Sequence, residues 1–425
     1  MTVLVIGPGG REHALARALS QDPGVAAVHV APGNPGTAEV ATNHSVDAND
    51  PAAVAALAGR LGVDLVVVGP EAPLVAGVAD AVREAGIACF GPSKEAARIE
   101  GSKAFAKEVM VAAGVPTGGS VLCRTPEELD DALDRFGSPY VVKDDGLAAG
   151  KGVLVTEDRG AAVDHGRACG EVVVEEFLAG PEVSLFAITD GTTVLPLQPA
   201  QDFKRIGDGD TGPNTGGMGA YTPLPWASAD LVDTVVSTII QPTVDELRDR
   251  GTPFVGLLYA GLAITEDGPK VIEFNARFGD PETQALLPLL ATGLGGVLYA
   301  AATGHLAEVG PLQWNPGFSV AVVLAAENYP QMPVVGGVIT GIEQVADGAH
   351  VIQAGTSTDD EGQLVASGGR VLAVVATGED LTEARNAAYA SLAGIDLPQS
   401  QHRLDIAQQA AQNQVADDQA ADEEN

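Results

Sequence analysis

Cysteine is scarce in this chain of 425 residues. Cys89, Cys123 and Cys169 stand far apart, with no CxxC pair. That spacing argues against a disulfide framework or a structural zinc site and fits a reducing compartment. No apolar run reaches the roughly 18 residues of a membrane-spanning helix. The opening residues lack the basic, apolar, small-residue order of a secretory signal, so a cytoplasmic protein is expected. Positive charge is scarce too: 23 Lys and Arg face 57 Asp and Glu, a net charge of −34. Only six of the acids follow Arg403, so the acidity belongs to the body of the chain. A surface of this sign repels nucleic acid and anionic membranes and favours solubility. Only seven lysines occur, so any cluster of them stands out.

The length allows two to four domains. Up to residue 100, TVLVI, AVHVA, DLVVVG and ACFG read as short buried strands. REHALARAL, DPAAVAALAGRL and PLVAGVADAVREAG read as helices between them. The alternation predicts a parallel α/β sheet with ligands beyond the strands' carboxyl ends. A second unit, of mixed α+β texture, is expected over 101–325, with a compact piece at about 120–190. Within it 201–219 reads as a long polar loop and 227–250 as a helix. Residues 326–404 read as a smaller β-rich domain, and the Gln/Ala/Asp-rich 405–425 as a frayed helix or, more simply, a disordered tail.

The opening TVLVIGPGGREHALA looks like half of a dinucleotide fingerprint. Gly7 and Gly9 match G-x-G-x-x-G, but Glu12 stands at the third glycine. The second strand ends in Ala-Pro-Gly-Asn instead of the acid that holds a ribose. What survives is a turn in which Gly7, Gly9 and Gly10 admit close approach to a helix N-terminus near Arg11. That suits a small phosphate ester.

A Walker loop is absent too: in GLAAGKG, Gly152 follows Lys151 where Ser or Thr would hold magnesium. Yet Lys103, Lys143 and Lys151 fall within 49 residues of a lysine-poor chain, at predicted strand and helix ends, which favours a polyphosphate. In VVVEEFLAGPEVS, a strand runs into a turn where the backbone near Glu176 to Leu178 is placed to read an adenine edge. In KVIEFNARFGDPET, Glu273 and Asn275 lie two apart on a strand and face one way. Such oxygen ligands suit Mg2+ shared with phosphate, and Arg277 adds a donor fork for carboxylate or phosphate.

Together these stretches resemble the ATP-grasp enzymes and, within them, the phosphoribosylamine–glycine ligase family. The match runs in order from VLVIGPGGREHALA through APGNPGT, VVGPEAPLVAG, FGPSKEAARIEGSKAFAK and VVKDDGLAAGKGV. It continues through VVVEEFLAGPEVS, QDFKRIGDGDTGPNTGGMGAYTP, FVGLLYAGL and VIEFNARFGDPETQ to HVIQAGT and ASGGRVLAVVATG, omitting the tail. The resemblance implies a Rossmann-like pre-ATP-grasp domain, a two-part ATP-grasp domain with a small lid, and a β-rich C-terminal domain. It implies ligation of glycine to 5-phosphoribosylamine with ATP and Mg2+ or Mn2+. Another carboxylate–amine ligase of the same superfamily, or a nucleotide-binding oxidoreductase, is the alternative.

Carried over by position, Lys103, Lys143 and Lys151 meet the ATP phosphates, Glu175, Glu176, Phe177 and Leu178 frame adenine, and Glu182 meets the ribose. Glu273 and Asn275 hold the metal, and Arg277 and Lys151 are catalytic. Gly7, Gly9, Gly10, Arg11, Glu71, Asp202, Lys204, Asp210, Asn214, Gly216, Gly217, Asp280 and Glu282 line the glycine and phosphoribosylamine sites. A monomer is expected, in transient contact with the preceding enzyme. The chain departs from the family at Asp144, where alanine is usual, and in a short 156–171 segment. It also has no acid on VGLLYAGLAI to serve as a second metal carboxylate.

Overall fold

The computed structural model describes residues 1–146, 152–346 and 348–423. Strands β1 (Thr2–Gly7), β2 (Ala27–Pro32), β3 (Thr42–Asn43), β4 (Leu65–Val68) and β5 (Ala88–Phe90) form a parallel sheet in the order β3-β2-β1-β4-β5. β1 and β4 are buried almost throughout, which is why they read as unbroken apolar runs. The chain winds outward from β1 to β3, then restarts beside β1 with β4. The turns leaving β1 and β4 therefore meet at the switch point, where such sheets hold ligands.

Strands β6 (Ser120–Cys123), β7 (Tyr140–Asp144), β8 (Val153–Thr156) and β9 (Val172–Glu175) form an antiparallel sheet in the order β6-β9-β7-β8. Helix Pro126–Phe136 starts there because Thr125 and Glu128 make a capping box with Pro126 in the first turn. The short 156–171 segment supplies helix Arg159–Cys169. Leu129, Leu133, Val142 and Val174 close a small core of their own beneath these helices.

The later strands are β10 (Glu182–Asp190), β11 (Val194–Pro196), β12 (Gln201–Asp202), β13 (Arg205–Gly207), β14 (Thr211–Asn214), β15 (Gly219–Thr222), β16 (Val255–Thr265) and β17 (Gly268–Asn275). They are followed by β18 (Phe318–Ala325), β19 (Ala349–Gln353), β20 (Thr356–Thr358), β21 (Leu364–Ala366) and β22 (Arg370–Gly378). One sheet runs β11-β10-β16-β17 and another β12-β15-β18-β22-β19, with β13–β14 and β20–β21 as separate pairs. The latter five-stranded sheet thus draws strands from both sides of the boundary expected at 325/326.

Two expectations change and a third is narrowed. The polar 201–219 segment is no loop: it holds β12, the β13–β14 pair and the start of β15. Its Gly- and Asp-rich sequence hides strands held by pairing instead of propensity. The helix of 227–250 runs from Leu231 to Asp249 through a π-turn at Val236–Ile240. Pro242, which has no N–H to give, follows closely after it. The tail, read as a frayed helix or a disordered segment, forms helix Gln408–Glu423. Alanine and glutamine favour a helix, Ala410 and Ala411 are buried, and Gln414 accepts from the Leu381 backbone N–H. No helix of the described residues is long and apolar enough to cross a membrane.

Candidate active site

The crevice between β1 and β4 is filled from within. The Glu12 carboxylate accepts from the Gly9 N–H at 2.6 Å and from Arg11 Nε at 2.6 Å. It lies against Gly7 and Gly69, where any Cβ would strike it. The residue standing where a dinucleotide fold has its third glycine therefore occupies that fold's phosphate crevice. The Arg11 N–H is also taken, by Asp280 at 3.3 Å. Gly7, Gly9 and Gly10, expected against a phosphate, are not among the residues that line the cavity described below, whereas Arg11 is. Gly7→Ala is expected to destabilise the chain by about 1–3 kcal/mol in chemical denaturation. At φ +130° its Cβ would sit 2.6 Å from Glu12 Cγ.

A cavity of about 1190 Å³ opens between the β6–β9 sheet, the edge of β17 and the 201–216 segment. Lys103, Lys143, Glu175, Glu176, Phe177, Leu178, Glu182, Asp202, Lys204, Asp210, Asn214, Gly216, Glu273, Asn275, Arg277, Asp280, Glu282, Glu71 and Arg11 all line it. Lys151 lies outside the described residues. Lys103 opens helix Lys103–Ala112 and donates to the Gly146 carbonyl at 2.9 Å. Burial lowers its pKa, opposed by Glu273. Lys143, at the end of β7, donates to the Ile272 carbonyl at 2.8 Å and pairs with Glu175 at 3.1 Å. Among the described residues the neighbouring Asp144 is not an ion-pair partner of Lys143; its charge acts on Lys103, opposing the burial that lowers that lysine's pKa. Against the expectation that Glu175 frames adenine, its buried carboxylate is claimed by lysines. Glu176 turns back onto the Gly119 N–H at 3.0 Å, while Phe177 is exposed. Glu182, expected at a ribose, is ion-paired with Lys204.

At the end of β17, Glu273 and Asn275 both face the cavity. Burial pushes Glu273's pKa up, but Lys204, Lys143 and Lys103 outweigh it and hold the carboxylate ionised. Asn275 Oδ1 accepts from Arg277 at 3.2 Å. Among the described residues, no cluster of three or more His, Cys, Asp or Glu is arranged to hold a metal. The two oxygens fit a hard cation that completes its shell with phosphate and water.

Arg277 joins the N-terminal unit to this strand. It pairs with Glu100 at 3.1 Å and approaches Glu71 at 3.4 Å, while Arg11 reaches Glu71 at 3.6 Å. Glu100 also accepts from the Ala276 N–H at 2.8 Å. Burial pushes Asp202 up to about 7, with Lys204 pulling against it. Lys204 itself stays charged, because Glu182 and Asp202 outweigh its burial.

Several expected substrate residues are bound up in holding the walls. Asp280 accepts from Gln284 at 2.8 Å and pairs with Arg370 at 3.3 Å. Glu282 accepts from the Tyr259 hydroxyl at 2.8 Å and from Ser184 at 3.2 Å. Gly217 lies against the Pro281 ring at φ +110°, a place with no room for a side chain. Arg370 also donates to the carbonyls of Gly216 and Asp280, each at 2.6 Å. Arg403, buried to 1% exposure, pairs with Asp210 and Asp405 at 2.7 Å and so clasps the β13–β14 pair. Sequence reasoning missed Glu12, Glu100, Lys107, Arg370 and Arg403. Lys107 had a signal, since it follows Lys103 by one helical turn in a lysine-poor chain. Arg370 and Arg403 had none, because Gly216 and Asp280, and Asp210, which they clasp, lie 154, 90 and 193 residues away.

Comparison with known proteins agrees over the whole length. The family models described as phosphoribosylglycinamide synthetase N domain, ATP-grasp (A) domain and C domain match residues 1–100, 101–283 and 319–409. The phosphoribosylamine–glycine ligase of Streptomyces coelicolor is 66% identical over 415 residues, covering 97% of this chain and 100% of that one. That of Mycobacterium tuberculosis is 59% identical over 425 residues, covering 98% and 100%. The crystal structure of the Thermotoga maritima phosphoribosylamine–glycine ligase superposes with a TM-score of 0.84 at 34% identity, covering 96% of this chain and 100% of that one. The chain belongs to the phosphoribosylglycinamide synthetase family of ATP-grasp ligases.

Proposed function

We propose that this chain ligates glycine to 5-phosphoribosylamine, converting ATP to ADP and phosphate and yielding glycinamide ribonucleotide, the second step of de novo purine synthesis. The observation that carries this is the single cavity, in a member of this family, that gathers Lys103, Lys143, Glu273, Asn275 and Arg277. A glycine carboxylate does not accept an amine at neutral pH. One of its oxygens attacks the γ-phosphorus, the bond to ADP breaks, and an acyl phosphate forms. The amine of phosphoribosylamine then attacks the acyl carbon, sheds a proton, and phosphate leaves with that carboxylate oxygen.

Such phosphoryl transfer needs positioning and charge neutralisation more than covalent help. Lys103 and Lys143 hold the phosphates, and Lys151, outside the described residues, is proposed to join them. The turn Glu176–Leu178 takes the adenine, and Arg277 orients the anionic reactants against Asn275. Arg11, Glu71, Asp202, Lys204, Asp210, Asn214 and Gly216 face the glycine and sugar-phosphate side, in walls braced by Asp280, Glu282 and Gly217. Glu273 and Asn275 would hold Mg2+, or Mn2+ in its place, which neutralises phosphate charge when bound. The β6–β9 sheet shields the acyl phosphate from water. The same reading takes 1–100, 101–325 and 326–404 as the working domains and the chain as a cytoplasmic monomer. It would receive its labile amine from the preceding enzyme in transient contact.

Phosphate release from ATP tests the reading. Release is expected only with both glycine and freshly made phosphoribosylamine, and EDTA is expected to abolish it. Release indifferent to both substrates would reject the ligase.

A further inference from the structure

Glu175 Oε2 lies 3.0 Å from Lys107 Nζ and 3.1 Å from Lys143 Nζ. All three side chains are at most 8% exposed. Lys107 is also held by Thr117 Oγ1 at 2.8 Å and the Gly118 carbonyl at 3.3 Å, and Thr117 is tied to the Val271 carbonyl at 2.7 Å. One carboxylate oxygen thus serves two buried ammonium groups in the cavity wall. A single lysine on Glu175 would make a neutral pair. Two lysines leave a net positive charge, and a burial this deep screens it poorly.

We propose that Lys107 is a positioning residue for ATP. By competing for Glu175 Oε2, it keeps Lys143 from being neutralised and leaves its ammonium available to the phosphates. The proposal rests on the ATP-dependent reading of this cavity. Without Lys107, Glu175 turns wholly to Lys143, and the closed pair faces the nucleotide with no net charge.

Calorimetric titration of the full chain with ATP and Mg2+ tests this in Lys107→Met, Glu175→Gln and the double variant. Lys107→Met is expected to weaken ATP binding on the order of tenfold. The double variant is expected to return to within about threefold of the unaltered chain, because the neutral amide at position 175 no longer quenches Lys143. Rescue by removing a second charge is not what a packing role for Lys107 would give. Unchanged affinity in Lys107→Met, or a loss that persists in the double variant, overturns the proposal. Should Lys107→Met fail to fold, the double variant carries the test, since it leaves no buried carboxylate short of a partner. No ATP binding by the unaltered chain would overturn the proposed function itself, and this proposal with it.

Discussion

Arg277→Ala is expected to lower kcat/KM on the order of 10²–10³-fold, because the guanidinium is the cation set between the cavity-facing Asn275 and the N-terminal carboxylates. The substitution also removes the partner of Glu100, whose carboxyl burial pushes up even with Arg277 beside it. The fold is therefore expected to lose on the order of 3 kcal/mol, the scale for orphaning a buried charge. The two effects separate in Arg277→Ala/Glu100→Gln, where the melting temperature recovers and activity does not. Recovery of turnover together with stability would show that Arg277 only supports the fold.

Glu273→Gln carries the second large effect. Lys204, Lys143 and Lys103 hold this carboxylate ionised against its burial, so it presents a full negative charge to the cavity. With Asn275 as the other oxygen donor, its loss is expected to weaken Mg2+ binding in the nucleotide complex on the order of 10²-fold. Calorimetry with and without Mg2+ reads this directly. In the unaltered chain ATP is expected to bind more tightly with Mg2+. In Glu273→Gln that advantage shrinks, while metal-free ATP, now facing one less negative charge, binds no worse. An unchanged Mg2+ advantage would remove Glu273 from the metal site.

Much of this site is legible in the sequence because its residues sit in short strand-end stretches. Lys143 at the end of β7, and Glu273 and Asn275 two apart on β17, follow from periodicity and from the scarcity of lysine. What escapes is long-range pairing. Glu175 is placed at adenine only by the family resemblance, and nothing nearby in sequence shows Lys107 and Lys143 converging on it. The polar 201–219 stretch carries no strand signal because β12 is held by pairing with β15, and β15 by pairing with β18. The 405–425 composition leaves a frayed helix and disorder both open, and the burial of Ala410 and Ala411 goes with the helix. The opening glycines do clear space, but the occupant is the chain's own Glu12.

Glycine labelled with oxygen-18 in its carboxylate tests the central claim most directly. If ligation passes through a glycyl phosphate, the inorganic phosphate released carries one labelled oxygen per turnover, because the amine displaces phosphate together with the carboxylate oxygen that attacked ATP. Mass analysis showing unlabelled phosphate, with glycinamide ribonucleotide still formed, would contradict it.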